Sequence, residues 1–377
     1  MIAPDVKLGR AGAIHLDRTI LDEDSFNRMI ALERKRTERS QRLFLLMLLD
    51  VSRLLADDQG GKPLREILPA LSLSIRATDV TGWNKDSAVL GIMFTEIPSD
   101  SRKSIVSTML VRVKGILYSK LTFDQFNKIS ISHHVFPEEW DLDVPQRPSH
   151  PTLYPDLSKP ANGSKLFAVA KRSMDVIGSA MGLLFALPLS LVIALAIKLS
   201  SRGPVLFRQQ RVGQYGIPFV FLKFRSMYVG NDSAIHREYV RQLIGGHAER
   251  SPSDGKVQGV YKLTRDPRVT RIGAFLRRTS LDELPQLYNV LRGEMSLVGP
   301  RPAIPYEVQA YELWHRRRVL EAKPGITGLW QVNGRSRVAF DDMVRLDVRY
   351  AMRRSLWLDI KILMSTPRAV ISAEGAY

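Results

Sequence analysis

Val176-Ile177-Gly178-Ser179-Ala180-Met181-Gly182-Leu183-Leu184-Phe185-Ala186-Leu187-Pro188-Leu189-Ser190-Leu191-Val192-Ile193-Ala194-Leu195-Ala196-Ile197 is an uncharged run of 22 residues. A straight helix of that length measures roughly 33 Å, against a hydrocarbon core of about 30 Å. A run this long and this apolar reads as a membrane segment rather than a buried core helix. Two features argue against a simple span. Pro188 lies in the middle, where it removes a donor from the helical ladder. Basic residues flank both ends: Lys165, Lys171 and Arg172 before the run, and Lys198, Arg202, Arg208 and Arg211 after it. The positive-inside rule then holds both ends on the cytoplasmic side. A helix over about residues 174–199 that dips in, bends at Pro188 and returns satisfies both facts.

The rest of the chain gives this segment its setting. A length of 377 residues favours two domains over one core. The absence of cysteine excludes a disulfide framework, a thiolate zinc site and a cysteine nucleophile. The net charge of +17 is uneven: residues 1–160 hold 22 basic and 21 acidic side chains, the remainder 33 and 17. Excess positive charge confined to one part points to an anionic partner, whether nucleic acid, phospholipid headgroups or a phosphorylated substrate. Met1–Arg10 leads into no apolar core with a cleavage site, so no secretory signal is expected.

Five prolines between Asp141 and Lys165 mark a semi-rigid linker without helical or strand periodicity. It separates an accessory domain (1–140) from a basic domain (166–377). In the first, Asp24 to Arg42 reads as a charged helix and Leu43 to Asp50 as a buried strand. Leu64 to Arg76 has helical spacing, and Asp79 to Ile97 reads as a hairpin. Arg102 to Lys120 is a second helix, and Lys128 to Val135 a last strand. The order β-α-β-β-α-β predicts a ferredoxin-like α/β sandwich.

In the basic domain, Arg277-Arg278-Thr279-Ser280-Leu281-Asp282-Glu283-Leu284-Pro285-Gln286 sets two adjacent carboxylates among fixed cations, and Gly299-Pro300-Arg301-Pro302 follows. Arginine forks neutralise and orient phosphoryl oxygens, so this grouping suits a phosphate-bearing substrate. Ser280 to Glu283 also matches an S-x-x-E capping box, which predicts a helix start whose N–H groups face a phosphate. Other short motifs accompany them in order. They are Gly203 to Gly213, Phe221-Leu222-Lys223-Phe224-Arg225-Ser226-Met227, Asp266 to Gly273, and Pro324-Gly325-Ile326-Thr327-Gly328 running on to Asn333-Gly334-Arg335. Tyr306 to Leu320 mixes aromatic and aliphatic residues with Arg316-Arg317-Arg318, the pattern of an amphipathic helix on anionic headgroups. His315 has no partner at metal spacing and receives no catalytic role.

From about Leu166 onward the chain resembles the bacterial sugar transferases, the monotopic phosphoglycosyl transferases that begin exopolysaccharide and O-antigen units. The resemblance implies a mostly helical domain with a re-entrant helix, seated on the cytoplasmic face of the bacterial inner membrane. It also implies transfer of a sugar phosphate from a UDP-sugar to undecaprenyl phosphate with release of UMP, and Mg²⁺ as cofactor. Asp282 and Glu283 match the family's catalytic and metal-binding dyad. Lys223, Arg277 and Arg301 match its active-site cations, with Pro302 aiming Arg301 and Arg335 near the nucleotide. Lys171, Arg172 and Pro188 fall at membrane positions, in contact with phospholipid. Leu187-Pro188 replaces the family's Ser-Pro pair. More weakly, residues 24–137 resemble diguanylate cyclase domains through Asp50 and Arg76-Ala77-Thr78-Asp79. Trp83-Asn84-Lys85-Asp86-Ser87 stands where that family has GGDEF, so a degenerate regulatory module without cyclase activity is expected.

Other classes fit less well. A membrane-anchored nucleic-acid-binding protein would show a helix-turn-helix, zinc spacing or RNP-like aromatics, and the chain has none. Dinucleotide and P-loop fingerprints are absent. A catalytically inactive scaffold for polysaccharide assembly is disfavoured by the intact dyad and its cations. The transferred sugar, the pathway and the oligomeric state, a homodimer among the options, are left open.

Overall fold

The computed structural model describes residues 20–57, 62–85, 88–98, 102–138, 151–155, 165–230, 234–245, 251–253, 256–260, 268–334 and 338–371. The chain divides into two compact units, Met1–Pro137 and Glu138–Tyr377.

In the first unit the order is α1 (Glu23–Ser40), β1 (Leu43–Asp50), α2 (Ser52–Asp57), α3 (Lys62–Ser74), β2 (Val80–Lys85), β3 (Val89–Ile97), α4 (Arg102–Lys120), α5 (Phe123–Asn127) and β4 (Ser130–Phe136). The sheet runs β2-β3-β1-β4 with every neighbouring pair antiparallel. Each helical crossover therefore joins two mutually parallel strands with a third between them. β1 (Leu-Phe-Leu-Leu-Met-Leu-Leu-Asp) is buried at every position but Asp50, which requires cover on both faces. Leu45, Met47 and Leu49 join Leu90, Ile92 and Phe94 in one core with Ile67 and Leu71 of α3 and Met109, Val113 and Leu117 of α4. Across the sheet, Phe26 of α1 lies over the paired Gly82 and Gly91, where any Cβ would strike its ring. Asp79 staples the turn before β2, accepting from the Arg76 N–H at 2.7 Å and the Thr95 N–H at 3.2 Å. Asp86 and Ser87 lie outside the described residues.

The second unit begins at Glu138, ahead of the expected linker and inside the expected accessory domain. Leu153 and Tyr154 are buried, and the Arg316 guanidinium donates to the Glu138 carbonyl at 2.9 Å. Chain that packs in this way belongs to the unit; most of the remaining linker falls outside the described residues. Next comes α6 (Lys165–Ser200), which continues through Pro188 without leaving helical geometry. Proline withholds one N–H from the ladder, and the turns on either side carry on. β5 (Leu206–Val212) and β6 (Pro218–Phe224) form an antiparallel hairpin, followed by α7 (Ala234–Ile244) and a small hairpin of β7 (Ser251–Ser253) and β8 (Lys256–Val260). Then follow α8 (Arg271–Thr279), α9 (Gln286–Arg292), β9 (Ser296–Val298), α10 (Pro305–Gln309), α11 (Arg317–Leu320), β10 (Gly325–Thr327), α12 (Leu329–Asn333), α13 (Phe340–Arg353) and α14 (Leu356–Ile371).

Among the described residues α6 is the one helix long and apolar enough to cross a membrane. Its two ends are seated on the unit and its middle is not. Gly178 and Gly182 let Leu297 and Leu287 approach closely. Fifteen or so residues later, Ile193 and Ile197 pack with Phe224 and Leu276. Between these contacts Leu184, Phe185, Leu187, Leu189, Leu191 and Val192 are exposed.

Candidate active site

Asp282 and Glu283 lie on a single 3₁₀ turn, Leu281–Glu283, wedged between α8 and α9. The expected capping box is absent. Ser280 closes α8 in the left-handed region (φ 57°), and its side chain caps nothing. Helix α9 starts only after Pro285, because a proline suits a helix entrance and its missing N–H costs nothing there. The left-handed turn costs on the order of 1 kcal/mol for a residue with a Cβ; it reverses the chain so that Asp282 faces inward. Asp282 is 5% exposed, while the Glu283 side chain is 32% exposed.

Lys223, near the end of β6, reaches both acids: its ammonium is 3.6 Å from Asp282 Oδ2 and 3.1 Å from Glu283 Oε1. Burial raises the Asp282 pKa; Lys223 and Arg277 oppose that shift and Glu283 adds to it. Hence one acid is enclosed and counterbalanced by cations, and its neighbour is open. Arg277, in the last turn of α8, donates from Nε to the Ser226 hydroxyl at 2.9 Å. The described part of the Asp266–Gly273 motif serves the same junction, while Asp266 and Pro267 lie outside the described residues. Thr270 caps α8 through the Gly273 N–H, and Gly273 lies so close to the Ser226 backbone that a Cβ would clash. Arg225 ties the hairpin to the end of α6, donating to the Ser201 and Arg202 carbonyls at 2.7 and 2.9 Å.

The Gly299-Pro300-Arg301-Pro302 loop is held by its backbone. Gly299 N–H donates to the Thr327 carbonyl at 2.9 Å and Gly325 N–H to the Pro300 carbonyl at 2.8 Å. Either glycine would clash with the opposite strand if it carried a Cβ, which accounts for the Pro324-Gly325 motif. Buried Arg211 donates to the Pro302 carbonyl at 2.8 Å, and buried Arg318 donates to the Arg301 carbonyl at 3.2 Å. Arg318 is balanced by Asp347 at 2.9 Å. Pro302 is buried and Arg301 is left exposed. Arg211 has its pKa pushed down to about 10 by burial, with Glu307 opposing, Arg301 contributing to the fall and Glu283 opposing weakly. The charges of the loop and the dyad thus act on a shared residue.

Several expectations need correction. Lys171 and Arg172 are not spread on headgroups. Lys171 pairs with Asp359 at 2.7 Å, and Arg172 donates to the Val290 and Leu291 carbonyls at 2.7 and 2.8 Å. Arg172 suits its site because the last carbonyls of a helix otherwise lack donors. Tyr306 to Leu320 forms no single amphipathic helix, but two short helices around a 3₁₀ turn, with Tyr311, His315 and Arg318 buried. His315 accepts from the Glu312 N–H and contacts Asp341, and burial lowers its pKa. Arg335 lies outside the described residues. Arg211, Ser226, Arg318 and Asp347 were missed as functional supports. Arg211 and Ser226 stood inside quoted motifs, where strand alternation could have marked Arg211 as inward; Asp347 gave no local signal.

A carboxylate pair braced by lysine beside a backbone-clamped arginine loop, on a unit carrying a long apolar helix, defines a site suited to an anionic substrate. The bacterial sugar transferase model matches residues 166–373, and the chain belongs to that family. It is 43% identical over 209 residues to the galactosyl transferase CpsE of Streptococcus agalactiae, covering 55% of this chain and 43% of that one. With the undecaprenyl-phosphate galactose phosphotransferase of Salmonella typhimurium it shares 42% identity over 207 residues, covering 55% and 41%. The exopolysaccharide production protein ExoY of Rhizobium meliloti is 40% identical over 209 residues, with 55% of this chain and 88% of that one covered. The chain therefore matches less than half the length of the first two relatives. A DGC protein of Thermotoga maritima is matched at 16% identity and TM-score 0.25 over 33% of this chain and 89% of that one, too slight a likeness to assign a fold.

Proposed function

We propose that the second unit transfers a sugar phosphate from a UDP-sugar to undecaprenyl phosphate, releasing UMP, at the cytoplasmic face of the bacterial inner membrane. The observation that carries this reading is the enclosed Asp282 beside open Glu283, with Lys223 3.6 and 3.1 Å from the two acids, in a chain of this family. Asp282 attacks the sugar-bearing phosphorus; the bond to UMP breaks, and a phosphosugar-aspartate forms. A phosphate oxygen of the lipid then attacks that phosphorus and frees Asp282. Splitting the transfer lets a soluble donor and a membrane-held acceptor use one site in turn. Lys223, Arg277 and Arg301 share the phosphate charge where it develops. Glu283, the more open acid, takes the proton in the second step.

Asp282 and Glu283 supply hard oxygen donors that fit Mg²⁺, which commonly takes one or two carboxylates and completes its shell with water and substrate phosphates. Among the described residues no larger His, Asp and Glu cluster offers a protein-only cage. When bound, the ion neutralises the diphosphate.

The seating of α6 supports re-entry: both ends touch the same unit while Leu184, Phe185, Leu187, Leu189, Leu191 and Val192 are exposed. Two ends on one side of a bilayer require a bend; α6 runs helical through Pro188, so the bend is proposed for the bilayer-inserted helix, where the proline withholds a donor. The first unit is read as a ferredoxin-like regulatory module, supported by its strand order. Full-length protein in detergent, given a panel of UDP-sugars and undecaprenyl phosphate, should release UMP with at least one sugar. Release with none sinks the assignment.

A further inference from the structure

At the foot of α6 four polar side chains from three elements meet away from solvent. Asp175, Tyr350 and Asp359 are each no more than 3% exposed. Lys171 Nζ lies 2.7 Å from Asp359 Oδ2 and 3.7 Å from Asp175 Oδ1, and donates to the Val298 carbonyl at 3.3 Å. The Tyr350 hydroxyl contacts that carbonyl at 3.0 Å and Asp359 Oδ1 at 2.7 Å. Asp175 Oδ1 accepts from the Ser296 hydroxyl and the Leu297 N–H, both at 2.9 Å. Four of these contacts land on β9, the strand that delivers Gly299-Pro300-Arg301.

A buried ion pair seldom stabilises a fold more than packed hydrocarbon of the same volume; its distinctive contribution is direction. Here Lys171 donates to one backbone carbonyl three residues before Arg301, and the Tyr350 hydroxyl lies against that carbonyl with its single proton shared between it and Asp359 Oδ1. Beyond it the loop is already fixed by Thr327, Gly325, Arg318 and Arg211, so the Val298 carbonyl is where α6 acts on the loop.

We propose that Lys171, Tyr350 and Asp359 are positioning residues for Arg301, transmitting the seating of the membrane helix to the loop that presents its guanidinium to substrate. The proposal rests on the transferase reading only for its kinetic consequence; the placement of the loop is measurable without turnover.

The test uses full-length protein in detergent. Tyr350→Phe keeps the ring and removes one hydroxyl. Lys171→Met strands two buried carboxylates, so Tyr350→Phe carries the decision. In Tyr350→Phe, amide hydrogen exchange at Gly299 and Gly325 should rise about tenfold or more, with the β5–β6 hairpin unchanged, as expected for a local opening. Turnover should fall about tenfold with KM within about twofold, the split expected when a transition-state contact is misaimed. In an Arg301→Ala background the same substitution should cost less than about twofold, because the group being positioned is gone. Unchanged exchange at Gly299 and Gly325 overturns the proposal whether or not the enzyme turns over, and so do additive kinetic losses. Wild-type protein that releases no UMP refutes the transferase reading instead, and the exchange result still decides the positioning.

Discussion

The two units bury different things. In the first, β1 carries a nearly unbroken apolar run between layers of helices, its core is leucine, isoleucine, valine, methionine and phenylalanine, and the charges buried among its described residues are Glu33, Arg34 and Asp79, outside that core. In the second, Arg211, Arg225, Asp282, Arg318, Asp347 and Asp359 lie out of water, joined to backbone carbonyls, to each other or to Lys171 and Lys223. Apolar burial is non-directional and tolerates exchange of one hydrocarbon for another. Paired charges hold particular atoms at particular distances, and lose heavily when one partner is removed. A unit that holds carboxylates and arginines at fixed distances needs the second kind of interior.

The sharpest break in this contrast is Asp282→Asn, which removes the proposed nucleophile and leaves the volume. Wild type given UDP-sugar without acceptor should gain the mass of a sugar phosphate, and the variant should show neither adduct nor UMP. An adduct on Asp282→Asn disproves the covalent role.

Next in size is Arg318→Met. Truncating one member of a buried pair costs about 3–5 kcal/mol. The carboxyl of Asp347 is already raised from 3.8 to about 6, burial driving it up and Arg318 opposing. A folded pKa above the unfolded value means that its stabilising share is present at low pH and lost as pH rises through 6. The penalty of Arg318→Met should therefore be largest above about pH 6 and shrink in acid, read from denaturation midpoints across pH. A loss independent of pH contradicts the pairing.

Leu45→Ala in the first unit should cost about 2–5 kcal/mol as a cavity, with no such pH dependence. UMP release should survive it. Loss of turnover with α6 still in the membrane would erase the division of labour between the units.

Lys223→Met should lower turnover and move the acid limb of the pH–rate profile upward. Lys223 is the strongest influence holding Asp282 down against burial, and the proposed attack needs the carboxylate form. A limb that stays in place argues that Asp282 is not the group being titrated.

The smallest effect is expected from removing residues 1–137. The cut belongs before Glu138, because Glu138 bonds to Arg316 and Tyr154 is buried. Activity should persist, whereas a cut near Lys159 strips these contacts and should lower the denaturation midpoint.

Much of this was legible in the sequence. Period and composition marked β1, both long helices of the first unit and the apolar run of α6, because burial leaves a local pattern. The dyad was legible as two acids among arginines. Its surroundings were not: Ser280 to Glu283 has the letters of a capping box, and the chain uses Ser280 to end a helix in a left-handed turn. Local letters specify which caps are available, and packing against β6 selects among them.

The sequence by itself determined the apolar segment with its proline, the strand order of the first unit and the residues of the dyad. Only the tertiary structure decided that Lys171, Arg172 and Arg318 turn inward. It also decided that Asp347 and Asp359 are their partners and that Arg301 is aimed through its backbone. These pairings span tens to nearly two hundred residues, and an isolated arginine or lysine reads the same in sequence whether it meets water, a headgroup or a buried carboxylate. Its partner is fixed by desolvation, which exists only once the chain has closed around it.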